Sequence, residues 1–250
     1  VLFRSNKMTS ANSTIGAFQF TTLTVVPGMM EYRGANIQVL DLPGIIKGAS
    51  SGKGLGKRIL SVARTADLVL LILDVFQPFH EDVLVNELGN IGIRLNQLPP
   101  NITIEKAAMG GIAVAQQVKL TKISVDHLKD ILHLYGLVSA RVVVREDVTS
   151  EQLADHIAGN ISYSKALTVL NKIDLVDDAF LKDLKTKIKS DVIEVSANSD
   201  VNIELLKEKI YEKLKFIRIY LKPKGGEADF VDPLIAREGD TVEDICNKLH

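Results

Sequence analysis

The chain has 250 residues, 46% apolar and 24% charged, and 30 Lys plus Arg against 31 Asp plus Glu leave a formal net charge of -1. That balance excludes bulk disorder and a fibrous class, and it argues against a generally basic nucleic-acid binder, which needs clustered cations. Apolar runs such as "LVLLIL" fall far short of the ~20 residues a bilayer span needs, no segment resembles a signal peptide, and the lone Cys246 cannot form an internal disulfide, so a cytoplasmic, non-membrane protein is expected.

Five apolar segments alternate with helical or loop material, the pattern of an α/β fold on a largely parallel sheet. The first two, "LTVVPGMMEY" and "NIQVLDL", are joined by the short polar turn Arg33-Gly34-Ala35-Asn36, which predicts an antiparallel hairpin. A helix over residues 56–64 leads into the third strand, "DLVLLILDV", and a helix over 81–94 follows it. Roughly 70 residues then separate the third strand from the fourth, against the ~10 to 12 a crossover minimally needs, so a subdomain is inserted there. It reads as α+β. "GGIAVAQQV" and "ARVVVRE" are its strands, and "SVDHLKDILHLYG" and "TSEQLADHIAG" its helices, the second with Thr149 and Gln152 as a capping box and Gly159 as its stop. Helices over 179–189 and 203–215 follow the fourth and fifth strands, "ALTVLNK" and "VIEVSA". After "LKPKGG" the composition shifts again, and a small unit opens with "DPLIAR" and a helix capped by Asp240. The expected boundaries are 1–94 and 165–216 for the two parts of a core, 95–164 for the insert and 217–250 for the last unit.

Four segments at the ends of strands, three of them carboxyl ends, carry the chemistry. "ALTVLNKIDLV" starts as a strand buried on both faces and stops at Asn171, Lys172 and Asp174. A carboxylate at Asp174 can accept two parallel hydrogen bonds from an N–H and an amine side by side, the edge that guanine presents and adenine does not. Asn171 would then bond a ring nitrogen of the base, and the stem of Lys172 would lie across its ring or ribose. The plainer reading is a polar turn with Asp174 capping a helix, and N-K-x-D arises by chance in roughly a few per cent of chains this long. The second end is "VLDLPG", a D-x-x-G in which Asp41 can hold magnesium directly or through water and Gly44 can offer its N–H to a terminal phosphate. The third is "FQFTTLT", a β-branched strand start if it stood alone. In the fourth, "EVSAN", Ala197 could offer its N–H to the guanine oxygen and Ser196 could steady Asp174. The five histidines show no metal spacing, and Glu146 and Asp147 read as a polar turn.

In this order, these segments resemble the GTP-binding core of the translation-factor class of P-loop GTPases. Together with the insert beginning "GIRLNQLPPNI", with "VVVREDVTSEQL", "VLNKIDL" and "IRIYLKPKG", they are similar to the developmentally regulated GTP-binding protein family of the Obg superfamily, from about Asn6 onward. The resemblance implies a molecular switch that hydrolyses GTP to GDP with Mg2+, with room for a monovalent cation, contact with the ribosome or RNA, and a small regulatory protein partner. It assigns Thr22, the second threonine of "FTT", to magnesium binding and to sensing the third phosphate. It also implies that the unit from Ile217 is the start of a TGS domain of β-grasp form.

The sequence departs from that family in one segment. A phosphate cradle G-x-x-x-x-G-K-[ST] is absent, since in "GKGLGK" Lys57 is followed by Arg58 and no strand feeds the loop. The family's loop lysine and serine would fall where Val1 and Leu2 stand, so a sheet without its first strand, an open groove in mid-sheet and weak GTP binding are expected. Ile45 follows Gly44 where Ras-like enzymes keep a water-orienting glutamine, which predicts slow intrinsic turnover. Two alternatives remain open: a nucleotide-independent binding module and an Obg-like ATPase, the latter opposed by the intact Asn171, Lys172 and Asp174.

Overall fold

The computed structural model describes residues 8, 26–42, 62–77, 79–188 and 190–249, and they divide into two compact units, 1–87 with 165–250 and 88–164. Strands β1 (Val26–Tyr32) and β2 (Ala35–Asp41) form the expected antiparallel hairpin, in register from Val26 opposite Asp41 to Tyr32 opposite Ala35. Its two-residue turn puts Arg33 at φ 48° and Gly34 at φ 83°, the double positive φ that matches the twist of paired strands.

Strand β3 (Leu68–Asp74) lies parallel to β8 (Ser162–Asn171), and β8 lies parallel to β9 (Val192–Val195). This parallel sheet makes no ladder with the hairpin among the described residues. Helix packing joins the two instead. Helix α5 (Ile203–Leu214) buries Ile203, Leu206, Ile210 and Leu214, the four residues its periodicity selected, against Met30, Ile37 and Val39 of the hairpin and against Leu70, Val169 and Val195. On the opposite face of the sheet, Leu181 and Leu184 of α4 (Asp178–Lys187) pack with Leu73 and Leu170. The alternation of β3 and β8 side chains between these two cores is why both strands read as continuous apolar runs. In the same unit β10 (Phe216–Ile219) pairs antiparallel with β11 (Leu234–Arg237), and α6 (Val242–Leu249) follows.

In the second unit β4 (Ile93–Leu95) runs parallel to the first three residues of β8. A separate sheet has the order β5-β7-β6, from β5 (Ile102–Lys106), β6 (Ile112–Gln116) and β7 (Ala140–Val144). Helices α2 (Val125–Leu134) and α3 (Ser150–Ala158) supply Leu128, Leu132 and Leu153 to a core with Val142 and Val144, all fully buried.

Three readings of the sequence change here. The helix expected over 81–94 is α1 (His80–Asn90); Gly92 at φ 79° turns the chain, and Ile93 to Leu95 pair as a strand. Strand β5 was not foreseen. Helix α6 is capped by Thr241, whose hydroxyl accepts from the Asp244 N–H while the Asp244 carboxylate accepts from the Thr241 N–H. Asp240 instead accepts from the Arg237 N–H and pairs with Lys248. The polar turn at Glu146 and Asp147 stands as expected: Glu146 accepts from the Asn101 N–H and Asp147 from the N–H groups of Thr121 and Lys122.

Candidate functional site

Open α/β sheets present ligand sites beyond the carboxyl ends of their strands, and three such ends lie side by side. Asp74 ends β3 directly opposite Asn171 at the end of β8, and Asn171 lies opposite Val195 at the end of β9. Asn171 is 2% exposed, and its Oδ1 accepts from the Ala197 N–H at 3.1 Å. That bond ties the end of β8 to the loop after β9.

Lys172 leaves the strand at φ 70° and ψ 32°, a left-handed conformation that a residue with a Cβ adopts only when its surroundings hold it. Its ammonium lies 2.7 Å from Oδ2 of Asp74, and the other oxygen of Asp74 accepts from the Phe76 N–H at 3.0 Å. Burial acts to raise the pKa of Asp74, but the hydrogen bonds from Lys172 and Phe76 outweigh it and hold the carboxyl below its ordinary value. A single 3-10 turn, Ile173–Leu175, then carries Asp174 out to solvent. Among the described residues none bonds to the Asp174 carboxylate. The turn ends before α4, whose cap is Asp177 accepting from the Phe180 N–H, so Asp174 is not that helix's cap.

Ala197 and Ser196 both make bonds at this strand end. Ala197 gives its N–H to Asn171, so in this arrangement it supports the asparagine. Ser196 is fully buried; its hydroxyl accepts from the Ser199 N–H at 3.0 Å, and its backbone bridges to Val201. Asp41 ends β2 at an exposed position. Thr22, Gly44 and Ile45 lie outside the described residues, as does most of the helix expected over 56–64. No group of three or more His, Cys, Asp or Glu that could hold a metal occurs among the described residues. Sequence reasoning missed Asp74, although an apolar strand ending abruptly in a carboxylate is the same signal that singled out Asn171 to Asp174.

A family model described as a 50S ribosome-binding GTPase matches residues 5–106, and one described as the C-terminal region of that domain matches residues 109–216. Parallel sheet, flanking helices and strand-end polar residues thus define an α/β protein of the P-loop GTPase-like class. An uncharacterized GTP-binding protein of Methanocaldococcus jannaschii is 54% identical over 248 residues, covering 98% of this chain and 63% of that protein. The developmentally-regulated GTP-binding protein 2 homolog of Dictyostelium discoideum is 43% identical over 98% of this chain and 67% of its own length. For the ribosome-interacting GTPase 1 of Saccharomyces cerevisiae the identity is 40%, with the same two coverages. The chain belongs to the developmentally-regulated GTP-binding protein family, and it spans about two thirds of the length of these curated relatives.

Proposed function

We propose that this chain carries the guanine-recognition and switch elements of a protein that hydrolyses GTP to GDP and phosphate and works with the ribosome. The observation that carries the reading is the contrast at the end of β8: Asn171 is buried and held by the Ala197 N–H, while the Asp174 carboxylate, three residues on, is exposed and has no partner among the described residues. In this reading Asp174 accepts from the ring N–H and the amine of guanine. Asn171, with Oδ1 engaged, donates through Nδ2 to a ring nitrogen, and the stem of Lys172 covers the base. Asp41 and Thr22 hold Mg2+, which neutralises phosphate charge, and Gly44 contacts the terminal phosphate; the Thr22 and Gly44 roles rest on family likeness alone. Ribosome contact is suggested by the name of the yeast relative. The half-buried Lys213 and the exposed Lys222 and Lys224 are a candidate surface for phosphate. Residues 217–250 are assigned as the beginning of a TGS domain, and residues 95–164 as the inserted subdomain.

Replacing Asp174 with Asn tests the reading in the full-length protein. An amide donates where the carboxylate accepted, which suits a base with a carbonyl in place of the guanine amine. GTP affinity should fall at least about a hundredfold and xanthosine triphosphate should become the better ligand. Unchanged GTP binding by the variant would contradict the assignment.

A further inference from the structure

We propose that Asp74 is a positioning residue of the nucleotide site, its carboxylate anchoring the Lys172 ammonium so that the lysine stem forms a fixed wall of the base slot. The inference rests on the guanine-recognition reading above and extends it to a residue on a different strand. Of the two side chains, Asp74 is the fixed one: it is 10% exposed against 41% for Lys172, and its Oδ1 is held by the Phe76 N–H at 3.0 Å. Oδ2 remains for the ammonium, at 2.7 Å. The backbone fixes the lysine's other end. Asp74 and Asn171 are register partners, the Val75 N–H donates to the Asn171 carbonyl at 3.3 Å, and Lys172 itself is left-handed. A flexible four-carbon stem is thereby held at both ends beside the strand terminus.

Each neighbour of β8 therefore fixes one recognition residue: the loop after β9 holds Asn171 through Ala197, and β3 holds Lys172 through Asp74. Asp174 alone is left to the ligand. Without the carboxylate, the lysine would have to be ordered when the nucleotide arrives, at a cost of about tenfold in affinity for one long side chain.

A double-mutant cycle in the full-length protein, read by titrating a fluorescent GDP, separates this from a merely structural ion pair. Asp74→Ser keeps an acceptor for the Phe76 N–H and removes the anchor; Lys172→Met keeps the stem and removes the ammonium. Asp74→Ser should weaken GDP binding about tenfold, and the double variant should bind no more weakly than Lys172→Met alone. Wild-type affinity in Asp74→Ser, or losses that multiply in the double variant, would overturn the proposal. Should Asp74→Ser fail to fold, the near-isosteric Asp74→Asn is read in the same cycle, with the same two outcomes. A wild type that binds ADP as well as GDP defeats the guanine reading itself, whereas a selective wild type with an indifferent Asp74→Ser defeats only the anchor.

Discussion

Asn171 and Asp174 are three residues apart in opposite environments, and each environment follows from what the side chain must bond. The buried amide has a protein partner, as a buried polar group must, and the exposed carboxylate has none among the described residues. Asn171→Ala would leave the Ala197 N–H buried without an acceptor and should lower stability by about 1–3 kcal/mol, measured by denaturant unfolding. Asp74 makes a separate prediction. Its carboxyl is held below its ordinary value in the folded protein, so it contributes stability that is present above the unfolded-state pKa and is lost as pH falls through the lowered one. Wild type should therefore lose stability on acidification below about pH 4 more steeply than Asp74→Ser. Equal slopes would mean that the ion pair with Lys172 contributes nothing.

Helix α5 is the element on which the arrangement of the first unit depends, because the hairpin and the parallel sheet share its apolar face and no hydrogen-bond ladder among the described residues. Leu206 is fully buried there, and Leu206→Ala should cost about 2–5 kcal/mol, read from its unfolding midpoint. In the hairpin turn, a Cβ on Gly34 would come within 2.8 Å of Pro233 while sitting at φ 83°, so Gly34→Ala should destabilise on the order of 1–3 kcal/mol. Local signals in the sequence located such elements well. The α3 cap needs only Thr149 and Gln152 three residues apart, and the structure forms both of its reciprocal bonds, with Gly159 left-handed at φ 65°. The α5 face and the hairpin turn are likewise periodicities or short motifs. What escaped depends on partners distant in the chain: β5 is a strand because of β7, Ile93 to Leu95 because of β8, and Asp74 matters because of Lys172. Residue type favours Asp240 as the cap, but Lys248 and the Arg237 N–H draw it away and leave Thr241 to cap the helix.

At the scale of the molecule, the unit 88–164 has its own core around Leu128, Val142 and Leu153. Scanning calorimetry of the chain should accordingly resolve two transitions, and one cooperative transition would show that the units unfold together. With Ile45 following Gly44, GTP turnover by the purified protein should be slow and should rise with a partner, a monovalent ion or ribosomes; fast turnover in isolation would contradict that expectation. The central claim is that the end of β8 senses purine identity, and nucleotide competition tests it most directly. Labelled GTP bound to the full-length protein should be displaced by unlabelled GDP, while ATP at the same concentrations leaves it bound. Displacement by ATP as effective as that by GDP would contradict the account.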